Sequence, residues 1–454
     1  MTKRYGFWTL TFLVIANMIG AGVFTTSGYS LEALGAPTVV VLAWGVGGLI
    51  AITGACSYGL LIKAMPESGG EYLFLSRAAH PLLGFIAGWV SLIAGFSGAI
   101  AFAATALEAY VLPAETRPEW LPAGTLAVLS ILLAGIFHGK NPRLGALVQN
   151  SVVLIKLGLL AAILLYAALK FSTVEMPGVS APTTELTGWA LISAFAGSLV
   201  WISLSYSGFN AAVYVADEVE NADRTIPRSM VVGTVLVMGV YLLLNAVFVY
   251  APAPEAIKGQ ADVATIAAEF IGGEWFAGFV RWTIVTCLLT SVFSMIMTAP
   301  RVYAKMAEDG LLPGFVRMRG DSPGRAILVQ VGLAILLVLI SSLQGLLSYL
   351  GLTLSISAAG SVFCLFLPGV RTKPMSHYTN VIPMLFIIST LVAAGLLISF
   401  KPWQLMGTAV TFAIGVAAYL LTRIFNPKSV SLNPSGKNRS VETESMQQQR
   451  DSQS

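Results

Sequence analysis

Charge is what this chain has least of. Only 11% of its 454 residues are Asp, Glu, Lys or Arg, while 56% are hydrophobic, and a soluble domain carries about 25% charged residues. So few charges cannot clothe a water-facing surface around that much apolar chain, which excludes a soluble globular protein. Cysteine is scarce too. Cys56, Cys287 and Cys364 each sit inside an apolar run, so there is no disulfide framework and the three read as small core residues. The three histidines, His80, His138 and His377, lie near run ends without metal-ligand spacing, so no metal site and no cofactor is expected. HExxH, GxSxG and paired intramembrane Asp residues are absent, which argues against an intramembrane enzyme.

What is present is a series of long apolar runs. A spanning helix needs about 20 apolar residues at a rise of about 1.5 Å each. Twelve stretches qualify, at about 7–33, 37–62, 82–111, 123–137, 144–169, 187–214, 230–252, 276–299, 326–343, 345–367, 381–399 and 404–424. The short alternating segments of a membrane β-barrel are missing. The expected fold is an all-α membrane protein: a transmembrane domain over 1–424 and a disordered cytoplasmic tail over 425–454, whose Ser-, Gln- and Asn-rich composition cannot build a core. Residues before Phe7 are too few, and the first run too long, for a cleaved signal peptide.

Of the 26 Lys and Arg, twenty fall on one side of these spans, five on the other, and Lys156 falls inside one. That bias places both termini in the cytoplasm of a multi-pass cell-membrane protein. The net charge of +4 therefore reports topology and gives no reason to expect nucleic acid as a partner. No partner subunit is evident from the chain.

Two spans carry backbone ill suited to a continuous helix: 17–24, reading NMIGAGVF, and 204–210, reading LSYSGFN. A glycine inside a helix costs about 1 kcal/mol relative to Ala. Most of the 44 glycines are packing glycines. These two clusters differ because they occupy the first and sixth spans, which correspond if spans 1–5 and 6–10 are repeats. Matching interruptions are the best sequence pointer to a transporter site. An interrupted helix leaves N–H groups free on one side and carbonyls on the other, and in hydrocarbon both need partners. A zwitterion supplies them. The amides of Gly20, Ala21 and Gly22 are candidates to hold a carboxylate. The carbonyls of Leu204, Ser205 and Ser207 are candidates to hold an ammonium.

Lys156 lies within the fifth span, about one third of the way from its cytoplasmic end. A charge at that depth is functional by default, although snorkelling to the interface is within its reach. It either stands permanently where a cation would bind, bracing the first break through its carbonyls, or loads and releases a proton. The residues leave that choice open.

Five motifs occur in order: Ile19-Gly20-Ala21-Gly22-Val23-Phe24, Pro66-Glu67-Ser68-Gly69-Gly70-Glu71-Tyr72, Ser205-Tyr206-Ser207-Gly208-Phe209-Asn210, then Asp217-Glu218-Val219-Glu220-Asn221 with Arg224-Thr225-Ile226-Pro227-Arg228, and a last one over 304–313. With them the chain, over about 7–424, resembles the amino acid–polyamine–organocation transporters. The resemblance implies a five-plus-five inverted repeat of the leucine-transporter type, with discontinuous helices 1 and 6 and helices 11–12 outside it. It implies a midplane substrate site between helices 1, 3, 6 and 8, where Ile19, Gly208, Asn210, Ser97, Phe293 and Ile296 join the backbone groups above. It also implies that Lys156 fills the space of a sodium ion and reaches the end of the first half-helix near Ala16, making transport sodium-independent. Leu204 replaces a frequent aromatic gate, which shifts gating to Phe209 or Phe96. Asn210 stands where some basic-amino-acid antiporters have an acid. No acidic side chain is expected near either break, which favours a neutral amino acid, moved with protons or by exchange. The alternative is a polyamine or organic-cation exchanger or exporter of the same fold.

Overall fold

In hydrocarbon every backbone N–H and C=O has to be satisfied within the chain, so apolar sequence goes to helix. In the computed structural model, which describes residues 5–140, 145–170, 177–180, 186–308, 312, 324–370, 377–400 and 402–425, the regular elements are helices, joined by one isolated bridge between Tyr5 and Val219. The expected tail from 426, most of the 304–313 motif beyond Glu308, and the side chains of His138 and His377 lie outside the residues described.

The helices are α1 (Phe7–Met18), α2 (Gly22–Leu34), α3 (Pro37–Ala64), α4 (Gly70–Ala78), α5 (Pro81–Val90), α6 (Ala99–Val111), α7 (Thr125–Lys140), α8 (Gly145–Lys170), α9 (Gly188–Tyr206), α10 (Ala222–Tyr250), α11 (Pro254–Ile257), α12 (Val263–Glu308), α13 (Gly324–Ile340), α14 (Leu343–Phe363), α15 (His377–Phe400) and α16 (Leu405–Phe425). Among the described residues, eight helical stretches are long and apolar enough to cross a bilayer, and α1 with α2 makes a ninth as one bent span. Large apolar side chains such as Leu133 and Leu169 face outward, at 62% and 70% exposure. Such a surface belongs in lipid.

Several boundaries differ from the sequence reading. The seventh run begins at Ala222, not about 230, with Asp223 suited to a helix first turn; Pro227, the sixth residue, lies inside the helix and leaves the Asp223 carbonyl without its intrahelical donor. Its ring lies over Gly59 of α3. The eighth run extends to Val263–Glu308, kinked where Gly272 and Gly273 leave helical geometry, Gly273 with φ 67°. The third run is α-helical at both ends, with a π-helical segment, Ser91–Gly98, between α5 and α6. Single-turn π segments cluster at functional sites, and Ser97 lies in this one. Among the described residues, no ion pair lies within 217–228. That loop is tied by main chain instead: Asp217 N donates to Ser68 Oγ at 2.9 Å, and Tyr5 N donates to the Glu218 carbonyl at 3.3 Å.

Packing groups the helices around the breaks. α10 lies along α3 and α1, and α2 lies along α9, while α12 packs on α6, α7 and α8. The glycine-containing breaks therefore sit inside the bundle, between these groups.

Candidate functional site

The first interruption separates α1 from α2 by a bend of 44°. Ile19 leaves the helix with φ −74° and ψ 90°. The last carbonyls of a helix have no intrahelical donors, and here they find partners from other spans. Tyr241 OH of α10 donates to the Met18 carbonyl at 2.6 Å. The Lys156 ammonium of α8 donates to the Ile19 carbonyl and approaches Ser291 Oγ of α12 at 3.4 Å. A cation at a helix C-terminus is also favoured by the aligned peptide dipoles. Lys156 is 7% exposed, so it does not snorkel. Its contact falls three residues beyond Ala16, because α1 runs unbroken to Met18 and the first carbonyl past its end is that of Ile19. On the far side, the amides of Gly22 and Val23, the first two of α2, precede the first intrahelical bond.

The second interruption follows Tyr206. Ser207 turns extended at ψ 148°, Gly208 takes φ 102°, and a 3₁₀ segment resumes at Ala211. A φ of that sign suits glycine alone without strain. Gly208 has a second constraint: a Cβ there would stand 2.8 Å from the Asn17 carbonyl group. Gly22 mirrors it, since its Cβ would meet Ser205 Oγ at 2.3 Å. The two breaks thus face each other, each with a glycine against the other's main chain. Thr26 Oγ1 and Ser205 Oγ, 3.2 Å apart, add a hydrogen bond across the pair. Gly20 is the exception, since a Cβ on it would meet nothing closer than 3.9 Å. The glycine at the centre of the first break borders open space.

The remaining sequence candidates separate into two groups. Leu204 and Ser205 lie on the last turn of α9. The Leu204 carbonyl accepts from Ser207 N at 3.1 Å, and the Ser205 carbonyl accepts from Tyr241 OH at 3.0 Å. Ala21 accepts from Phe24 N at 3.1 Å. Ser97 is fully buried, with the Tyr303 hydroxyl as its polar neighbour. Phe293, by contrast, packs on Phe137 of α7 at 5.8 Å between ring centres, and Ile296 is fully buried. Ile296 belongs to the same buried cluster as Met18, Ile19 and Ala21, and Phe293 packs against that cluster. Of the gating candidates, Phe209 is wedged between Tyr58 (5.4 Å) and Phe386 (6.2 Å), and Phe96 packs on Tyr303 at 6.0 Å.

Two functional candidates escaped the sequence reading. One is Tyr241, whose single hydroxyl bridges the Met18 and Ser205 carbonyls and so fastens both breaks to α10. The other is Glu71, which corrects the expectation that no acid lies near a break. It is 8% exposed and accepts three hydrogen bonds: from Asn210 Nδ2 at 2.6 Å, Tyr214 OH at 2.6 Å and Tyr58 OH at 2.9 Å. Gly69 (φ 149°) and Gly70 (φ 60°) make the turn that brings Glu71 there, and the Tyr214 ring covers Gly70 so closely that a Cβ would meet it at 2.4 Å. Glu71 meets Asn210 just ahead of the 3₁₀ segment, where a negative charge is favoured. The signal for it in the sequence is a pair of glycines directly before a carboxylate.

Among the described residues, no group of three or more His, Cys, Asp or Glu is placed to hold a metal ion. The site is main chain, hydroxyls, one buried ammonium and one buried carboxylate.

A multi-pass helical membrane protein whose two broken helices meet midway along their length has the architecture of a secondary transporter. The chain belongs to the Amino acid permease family, whose model matches residues 5–426. It is similar to Asc-type amino acid transporter 1 of Mus musculus, 25% identical over 364 residues, covering 77% of this chain and 67% of that one. It is also similar to Large neutral amino acids transporter small subunit 2 of Oryctolagus cuniculus, 25% identical over 437 residues, covering 92% and 79%. The b(0,+)-type amino acid transporter 1 of Homo sapiens is 24% identical over 436 residues, covering 93% and 88%.

Proposed function

We propose that this protein is a sodium-independent secondary transporter of neutral amino acids, working by alternating access with proton coupling or exchange. The observation that carries the proposal is the meeting of the two breaks with the ammonium of Lys156 fixed on the Ile19 carbonyl. A resident cation already supplies the charge that a sodium ion would bring to the end of α1, so no ion has to be recruited. The substrate carboxylate meets the amides of Gly20, Ala21 and Gly22, and its ammonium meets the carbonyls of Leu204, Ser205 and Ser207. Ser97, Gly208 and Asn210 tune the side-chain pocket.

Glu71 supports a neutral cargo over a polyamine. Three donors already occupy its oxygens, so it is a brace and not a free counter-charge for a cationic substrate. The reading includes twelve spans, a five-plus-five inverted repeat with the last two helices outside it, and both termini in the cytoplasm. The names of the three relatives, all amino acid transporters, favour the same substrate class.

The test is uptake by the purified chain alone, in proteoliposomes, with a radiolabelled amino acid panel, with and without internal substrate and a pH gradient. Uptake of a neutral amino acid, unchanged when choline replaces sodium, is expected. Uptake that requires sodium, or that is competed by polyamines and not by α-amino acids, overturns the proposal.

A further inference from the structure

Away from the two breaks, the structure holds a cavity of about 830 Å³ between α5 with its π segment, α13, α14 and α16, within the usual size of a small-molecule site. None of the residues at the breaks lines it. Its wall is apolar: Leu92, Leu333, Leu337, Val410 and Ile414 are typical of it. Several lining residues lie on the outer surface, Ile340 at 67%, Met406 at 70% and Val410 at 50% exposure. The cavity therefore opens sideways, toward the hydrocarbon that surrounds a spanning helix.

Polar groups occur along the lining: Tyr303, Ser348, Tyr349 and Thr411 are hydrogen-bonded within the bundle, and Trp89 Nε1 has no partner among the described residues. Ser341, Ser342, Trp403 and Gln404 gather at one end, where α13 stops and α16 begins. Gln404 is 8% exposed and its Oε1 has no hydrogen-bond partner among the described residues. An orphaned buried acceptor calls for a donor. From Val329 to Ser342, both in the lining, the rise along a helix is about 20 Å, deeper than half of a hydrocarbon core of about 30 Å. Length, apolar walls, a sideways mouth and a polar end with an unmet acceptor together describe one kind of ligand.

We infer that this cavity binds the acyl chain of a membrane lipid whose headgroup donates a hydrogen bond at the Ser341–Ser342–Gln404 end. The inner wall gives the lipid a route to the transport site. Leu92 and Ile93 belong to the π segment that carries Ser97, and Tyr303 packs on Phe96 of the same segment. A chain in the cavity braces that segment from behind.

The experiment is native mass spectrometry of the full-length protein after incubation with equimolar phosphatidylglycerol, phosphatidylethanolamine and phosphatidylcholine, the last having no headgroup donor. Wild type is expected to retain one lipid per chain, with either donor lipid favoured over phosphatidylcholine by about tenfold, the effect of one hydrogen bond. Glycerol hydroxyl and ammonium donors are told apart by which of the first two lipids is kept. Gln404→Leu is expected to keep lipid but lose the preference. Val410→Trp, which blocks the mouth at an exposed position and leaves the core intact, is expected to lose lipid. Equal retention of phosphatidylcholine by wild type, wild-type retention by Val410→Trp, or displacement of phospholipid by added cholesterol overturns the inference. These readouts do not involve flux, so they stand or fall apart from the proposed transport function.

Discussion

The two breaks solve one problem with opposite charges. At the first, the C-terminal end of α1 exposes carbonyls, and the Lys156 ammonium sits on that of Ile19. At the second, a 3₁₀ segment begins just beyond Asn210, and the Glu71 carboxylate takes the Asn210 amide at 2.6 Å. Cation at a C-terminal end and anion near an N-terminal end is the pairing that helix dipoles favour. The breaks differ in room. Gly208 is pressed on Asn17 and has a positive φ, whereas Gly20 borders open space with no such constraint. One glycine holds the breaks together, and the other leaves open space beside them, where the proposed reading puts the cargo.

That contrast is sharpest in a pair of substitutions. Gly20→Val is expected to abolish substrate binding while leaving the melting temperature of the purified protein unchanged, since the side chain fills only the cargo space. Gly208→Ala is expected to lower the melting temperature, with a cost of about 1–3 kcal/mol for a non-glycine residue held in that backbone region. If Gly20→Val melts low and Gly208→Ala does not, the assignment of roles is reversed.

The charge comparison is tested next. Lys156→Ala leaves the Ile19 carbonyl buried without its donor, at about 1–3 kcal/mol, and should reduce initial uptake by about 10- to 100-fold or change its pH dependence. Wild-type flux at every pH would reduce Lys156 to packing. Glu71→Gln is milder, because an amide still accepts at one atom but forces one of Tyr58, Tyr214 or Asn210 to lose its acceptor. A fall in uptake of about five- to tenfold is expected. Combined with Asn210→Ala, the loss should be smaller than the product of the two single effects, since the residues share one hydrogen bond; independent effects would separate Glu71 from the break. The smallest effect is the replacement of external sodium by choline, for which no change in uptake is expected.

The sequence told more about one break than the other, for a physical reason. Lys156 stands out because a charge in a long apolar run is costly wherever the chain goes. Helix positions follow from hydropathy in the same way, and the glycine clusters mark both interruptions. Glu71 drew no notice because it lies in a polar stretch at the start of α4, where a carboxylate costs little until the fold carries it back under Asn210. Tyr241 looked like one more aromatic in an apolar span, and only the packing of α10 on α1 and α9 shows its hydroxyl spanning two carbonyls. The side-chain pocket was least legible. Which side chains of a span face a pocket depends on the rotation of the helix, which hydropathy leaves open, as for Phe293, whose ring packs on Phe137 of α7. Boundaries slipped where polar residues extend a helix beyond its apolar part, as at Ala222.

The most direct test is a competition binding measurement on the purified protein with a neutral L-amino acid, its methyl ester and its decarboxylated amine. On the proposed reading, the opposed main-chain ends at the two breaks require a carboxylate and an ammonium on the same molecule. Displacement by the amino acid alone, absent in Gly20→Val, is the expected result. Equal displacement by the ester or the amine would contradict it.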